Sequence, residues 1–295
     1  MSVAFEKGAW AGRHAGFLLQ GRPRAAQAPH RDPGRPGVRQ PVGGAPPLEE
    51  YLGDAVRARL ARVLGKPIQV LGRFVQVLPN NWKLYVENVK DTYHASLLHT
   101  FFSTFHITRL TQGGGVLVSP DGAHHASSTI DRGDERESSA YREQDIRSEK
   151  ERFRLNDPSL LDTVKEFGDD IQLQILTVFP GLVVQQVYNA LAVRQVLPKG
   201  PDAMELHWTY FGFTDDTPEM RRRRLRQAQP GGTGGLSSRM EDGCVGGFVQ
   251  RGVAAAGDTL SVINMGGEGA ESQDTRATEA AVRGFWKAYR RYMGY

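Results

Sequence analysis

Between Pro47 and Gly65 the chain reads LEEYLGDAVRARLARVLG, with Leu52, Val56, Leu60 and Val63 at helical spacing and charges between them. That spacing predicts an amphipathic helix, and Gly65 sits where a stop is expected. PIQVLGRFVQVLP is β-branched and partly alternating, which predicts a strand ending at Pro79. NNWKLYVENVKDTYHASLLHTFF, residues 80–102, begins as a helix. GGGVLVSPDGAHHASSTID predicts two strands about a turn at Pro120, Asp121 and Gly122, and NDPSLLDTVKEFG predicts a helix opened by an Asn or Asp cap. Residues 171–213 carry the strongest β signal and predict an antiparallel meander, whose last strand puts Met204, Leu206, Trp208 and Tyr210 on one side. DDTPEMRRRRLRQAQ predicts a helix with acids near its start and arginines toward its end, as the helix dipole favours. Its run Arg221 to Arg224 reads as a solvated helix face, with a docking patch for an acidic partner as the alternative. The C-terminal DTRATEAAVRGFWKAYRRYMG places Val282, Phe285, Trp286, Tyr289 and Met293 on one helical face that packs on a core.

Residues 1–47 break this texture. They are dominated by Gly, Pro, Arg, Ala and Gln with no apolar periodicity, which predicts a disordered arm before one main domain over 48–295. Those residue types share GC-rich codons, so the arm also reads as out-of-frame translation ahead of the authentic sequence near PPLEEYLGD. The chain of 295 residues has an ordinary globular composition and a formal charge of +4. No apolar run is long enough to span a bilayer, and the N-terminus lacks the apolar core and cleavage site of a secretory signal, which points to the cytoplasm and away from membranes. The basic residues form no aromatic-interleaved stripe, so nucleic acid is set aside. Cys244 is the single cysteine, and one thiol completes no disulfide, zinc knuckle or iron–sulfur cluster. Any metal must be held by His and carboxylate.

The polar cluster within residues 80–102 is the candidate for chemistry. Unpartnered buried polar groups are costly, so a dense set of them inside an otherwise buried helix asks for a shared reason. In a continuous helix Asn88, Asp91 and His94 recur every three residues along one face. His94 and His99 are five apart, about 140° around a regular helix, so one ion can bind both only if the helix widens or breaks between them. Two imidazoles suit Fe, Zn, Ni or Cu, and a carboxylate from a later segment completes a facial triad. Two histidines satisfied by hydrogen bonds, without a metal, remain the alternative at this point. His124 and His125 are adjacent, face opposite ways in a strand and cannot chelate together; His106 and His207 have no pattern behind them.

NNWKLYVENVKDTYHASLLH resembles the iron-binding helix of the catalytic domain of Rieske non-haem iron aromatic-ring-hydroxylating oxygenases, large (alpha) subunit, whose pattern runs N-W-K, E-N, then D-x-Y-H-x-x-x-x-H. The similarity extends more loosely through SRMEDGCVGGFVQRG and the C-terminal segment, covering most of residues 48–295. It implies an α+β helix-grip fold, in which an antiparallel sheet curves around a long C-terminal helix with a hydrophobic pocket between them. It implies that His94, His99 and Asp242 hold one Fe(II), with Glu241 as the runner-up carboxylate. Asp91 would orient a histidine and link to the electron-donating cluster of a neighbouring subunit, and Asn88 would line the site.

The resemblance also implies hydroxylation of an aromatic ring with O₂, electrons from a ferredoxin or reductase, and a trimer-based assembly with or without a small (beta) subunit. The C-terminal segment is most similar to members acting on salicylate, anthranilate, terephthalate and related benzoates. Full-length members carry a [2Fe–2S] domain whose Cys-x-His and Cys-x-x-His pairs are absent from these residues. A truncated catalytic domain, unable to turn over without an outside electron relay, is the expectation. Two other classes stay open: a non-enzymatic helix-grip protein that binds hydrophobic ligands, and a zinc-dependent hydrolase.

Overall fold

The computed structural model describes residues 2–4, 18–20, 46–105, 108, 112–130, 157–229, 236–257 and 259–294. Within the arm expected over 1–47 it describes β1 (Ser2–Ala4) and β2 (Leu18–Gln20), paired antiparallel, and residues 46–47; the rest of that expectation lies outside the described residues.

The centre of the fold is a seven-stranded antiparallel sheet. Its strands are β3 (Ile68–Leu78), β4 (Gly114–Val118), β5 (His125–Ile130), β6 (Ile171–Val178), β7 (Leu182–Val187), β8 (Ala190–Pro198) and β9 (Met204–Phe213). The order β3-β9-β8-β7-β6-β5-β4 keeps the meander from β4 to β9 in sequence and returns the chain's first long strand to the far edge. The two faces are covered differently. On one, α1 (Leu48–Leu64) lays Leu52, Val56, Leu60 and Val63 against Leu176, Val184, Val193 and Phe211. On the other, α2 (Trp82–Lys90) packs Tyr85 and Val89 against Met204, Leu206, Trp208 and Tyr210, the four residues that alternation had placed on one side. Period-two alternation therefore assigned the right residues to the right face.

The remaining helices are α3 (His94–Leu98), α4 (Thr100–Thr104), α5 (Pro218–Ala228), α6 (Leu236–Ala255) and α7 (Ala280–Met293). The last of these buries Val282 and Phe285 with Ala280, Ala281 and Ala288, and ends on Gly294 in the left-handed region. It approaches the β4–β5 turn so closely that a Cβ on Gly122 would meet the Gly284 carbonyl oxygen at 2.6 Å. Helix and curved sheet together give the α+β helix-grip architecture.

Five sequence expectations change. Arg224, read with Arg221–Arg223 as part of a solvated helix face, is instead buried, because it points inward to pair with Glu166 and Asp216. Residues 157–168 hold a single 3₁₀ turn at Pro158–Leu160 where a helix was expected over 156–168; Asp157 caps it, but the apolar run that follows is too short to support a second turn. Helix α6 was not foreseen, because its glycines at 243, 246, 247 and 252 depress helix propensity. Met293, expected on the packed face of α7, is exposed at the helix end, while Trp286 and Tyr289 are half-buried. Finally, α2 stops at Lys90, and Asp91 has extended backbone angles (φ −75°, ψ 107°), so Asn88, Asp91 and His94 do not share one continuous helix.

Candidate metal centre

The chain breaks twice in ten residues, and both breaks build the site. After α2 ends, the Asp91 carboxylate accepts the backbone N–H groups of Tyr93 and His94 at 3.1 Å each and so starts α3. At His99 the backbone again leaves the helical region (φ −81°, ψ 89°), separating α3 from α4. The interruption that a shared ion would need is therefore present, and the two imidazoles lie with ring centroids 5.2 Å apart.

Asp242 arrives from α6. Its Oδ1 lies 3.6 Å from His94 Nε2 and 3.4 Å from His99 Nε2, and one ligand atom from each of the three residues falls within 4.8 Å of the others. The opposite ring nitrogens are engaged. His94 Nδ1 is 2.7 Å from the Asp91 carbonyl oxygen, which can only accept, so Nδ1 carries the proton and Nε2 presents its lone pair. His99 Nδ1 is 2.9 Å from Glu241 Oε2, and the same reasoning turns its Nε2 lone pair toward Asp242. Glu241, the alternative ligand in the sequence, meets the other side of the His99 ring. Asn88 Nδ2 donates to Asp242 Oδ1 at 3.2 Å and approaches His94 Nε2 at 3.5 Å. Burial disfavours the His94 imidazolium, but the Asp91 hydrogen bond and the Asp242 charge outweigh it and hold its pKa above the usual value. Two imidazoles and one carboxylate, with hydrogen-bond acceptors fixed behind both rings, form a ligand set suited to a divalent transition metal.

Beside this cluster opens a cleft of about 100 Å³. Val89, Phe102, Leu173, Ile175 and Val187 give it apolar walls, and Ser127, Gln185 and Arg194 bring polar groups from the concave face of the sheet. Arg194 lies opposite Trp208 in the β8–β9 register and stacks its guanidinium 4.6 Å from that ring's centroid. It donates to Tyr85 Oη at 2.8 Å. Its buried Nε has no acceptor.

Residues 60–295 match the family model described as ring hydroxylating alpha subunit, catalytic domain. The chain belongs to this family. The terephthalate 1,2-dioxygenase terminal oxygenase component subunit alpha 2 of Comamonas sp is 58% identical over 250 residues, which are 84% of this chain and 60% of that protein. The anthranilate 1,2-dioxygenase large subunit of Burkholderia cepacia is 46% identical over 251 residues, 84% of this chain and 59% of that one. Among solved structures, naphthalene 1,2-dioxygenase from Rhodococcus sp. bound to indole aligns with a TM-score of 0.59 at 19% identity, covering 85% of this chain and 62% of that chain. At that identity the structural likeness shows a common fold. The chain thus spans about 60% of the length of the curated relatives it matches. Ring-hydroxylating alpha subunits use a mononuclear iron and work as large subunits of multicomponent oxygenases.

Of the other described histidines, His124 and His125 are buried in the core. His124 takes the Tyr51 carbonyl on Nε2 and the Phe179 N–H on Nδ1, while His125 meets Thr177 Oγ1 at 2.8 Å. His207 pairs with Glu205 at 2.9 Å, and His106 lies outside the described residues. No helix of the described residues is long and apolar enough to cross a membrane. Arg194 escaped the sequence reading, although a lone cation at an inward position of NALAVRQVLP, in phase with Ala192 and Val196, was a usable signal.

Proposed function

We propose that this domain binds one Fe(II) through His94 Nε2, His99 Nε2 and Asp242, and hydroxylates a benzoate-type aromatic acid held in the adjoining cleft. The observation that carries the reading is the convergence of the three ligand atoms in the lining of a cleft that also holds a buried guanidinium with no acidic partner among the described residues. Bound there, ferrous iron supplies the one-electron chemistry that reduces O₂ for ring oxidation. The chain's own groups do the rest: Asp91 and Glu241 fix the two imidazoles, the apolar walls hold a ring and exclude water, and Arg194 receives a carboxylate.

Burying a cation without a counter-charge is unfavourable, and Tyr85 and the Trp208 face compensate only part of it. A carboxylate completes the pair, with Nε free to donate one of two parallel hydrogen bonds. The names of the relatives, which act on terephthalate and anthranilate, support an acid substrate. Electrons come from a ferredoxin or reductase through a [2Fe–2S] group outside these residues, because the single cysteine cannot complete that ligand set. Asp91, on the side of the site that carries His94, is the point of arrival, and a trimer, with or without a small subunit, is the assembly.

Anaerobic loading followed by iron analysis tests the centre. The wild-type chain retains one Fe(II) per chain, and His94→Ala and His99→Ala lose it, whereas Asp91→Ala retains iron but loses electron transfer when an electron-donating partner is added. Equal iron in all variants contradicts the assignment. For the acid, calorimetry with benzoate and terephthalate compares wild type with Arg194→Met; binding weakens by on the order of 2–5 kcal/mol, the cost of truncating one partner of a buried charge pair. Unchanged affinity removes Arg194 from recognition.

A further inference from the structure

Behind the metal-binding segment, away from the cleft's polar wall, α2 carries a lysine that the chemistry above does not use. Lys90 is 1% exposed, and among the described residues its Nζ makes one hydrogen bond, to Thr177 Oγ1 on β6 at 2.9 Å. The same hydroxyl meets His125 Nδ1 on β5, and the buried His125 Nε2 has no partner. Register places His125 opposite Thr177 and Thr177 opposite Val183, so the cluster occupies one row of the concave face. Val86, Val89, Val183 and Phe285 wall the amine in.

An ammonium needs three acceptors, and here one hydroxyl is available. The charged groups around it are committed elsewhere. Asp121, whose charge acts on Lys90, accepts from Ser119, the Ala123 N–H and Arg291 of α7. His124 is held between Tyr51 and Phe179. Glu87, on the same helix, accepts from Trp286, and the Asp91 carboxylate caps α3. Burial pushes the Lys90 amine down to about 7 and, with Lys90 beside it, the His125 imidazole well below its usual range.

We propose that Lys90 is a proton-responsive positioning residue: uncharged, it anchors the last turn of α2 to β6 through Thr177; charged, it draws that turn toward water. The turn ends on Asp91, whose carbonyl fixes His94 Nδ1, so release of Lys90 loosens one imidazole of the centre. The coupling to metal rests on the proposed function above.

Two measurements on the full chain test it, comparing wild type with Lys90→Met, a neutral side chain of similar reach, and with Lys90→Gln should the methionine variant not fold. In metal-free protein, denaturant titrations follow the folding constant against pH. A lysine whose folded pKa lies below its unfolded one makes stability rise with pH, by about tenfold in the folding constant per unit between about pH 7 and pH 10; that slope is present in wild type and missing from the variant. Co(II), followed by its visible absorption, then probes the centre. Both proteins lose Co(II) as the imidazoles protonate, and wild type loses up to about tenfold more per unit as pH falls through 7. Equal stability slopes overturn the proposal, as does a ratio of Co(II) affinities that does not change with pH. Failure of wild type to bind Co(II) at any pH removes the metal reading and the coupling together, and is distinguishable because the denaturation slopes still report the charge state of Lys90.

Discussion

The proposed division between ligand and support rests on one side-chain bond. Glu241 and Asp242 are adjacent on α6, yet Asp242 faces both Nε2 atoms while Glu241 reaches the back of His99. A carboxylate behind a liganding imidazole fixes its tautomer and raises its basicity. Glu241→Ala should therefore weaken Fe(II) or Co(II) binding by about 10- to 100-fold without abolishing it, whereas Asp242→Ala abolishes it. Metal titration of the two variants separates the roles, and the reverse ranking would make Glu241 the ligand. Asn88 belongs to the same scale, its amide touching two of the three converging atoms, so it restrains the site from the α2 side.

Helix α6 delivers the carboxylate, and its glycines explain how it comes so close. A Cβ on Gly246 would stand 2.9 Å from Asn80 Oδ1, and one on Gly243 would stand 3.0 Å from Leu78 Cδ2. Asn80 is 1% exposed and tied to the Asn81 carbonyl, so it cannot easily withdraw. At Gly252, by contrast, a Cβ meets nothing within 4 Å. Two substitutions of the same kind should then have opposite signs. Gly252→Ala stabilises by about 0.5–1 kcal/mol through helix propensity. Gly246→Ala costs about 1–3 kcal/mol from overpacking and reduces metal affinity by shifting Asp242. Urea titrations and metal binding on both variants read this directly; stabilisation by Gly246→Ala would mean that the close approach is not what sets the position of α6.

Across the whole molecule, the site is held by a sheet whose far corner is locked by charge. Arg224 of α5 is 1% exposed and pairs with Glu166 and Asp216 while donating to the Asn189 carbonyl at 2.7 Å. It ties the β7–β8 turn to the segment before β6. Removing one member of such a buried network strands the others, so Arg224→Met should cost about 3–5 kcal/mol in denaturant titrations while metal stoichiometry in the folded protein stays at one. A cost under about 1 kcal/mol would mean water already reaches the two carboxylates. Arg224's partners are Glu166, Asp216 and Asn189, none of which lines the cleft, so this tests the scaffold.

Much of this architecture is legible in the chain itself, because periodicity encodes which face each strand and helix buries. The α1 stripe, the meander and the inward row Met204, Leu206, Trp208 and Tyr210 all follow from spacing. For His94 and His99 to share one ion, their five-residue gap called for a break in the helix, and the backbone breaks at His99. Where the backbone departs from regular structure, spacing loses its meaning, so the end of α2 at Lys90 and the single turn at Pro158–Leu160 were not readable. Spacing also hides convergence across long separations: only the family resemblance set Asp242 with His94 and His99, and nothing in the chain places Glu241 behind His99 or Arg194 in the same cleft. Those contacts depend on how a glycine-rich helix and a curved sheet close over one another, and only the packed structure decides that.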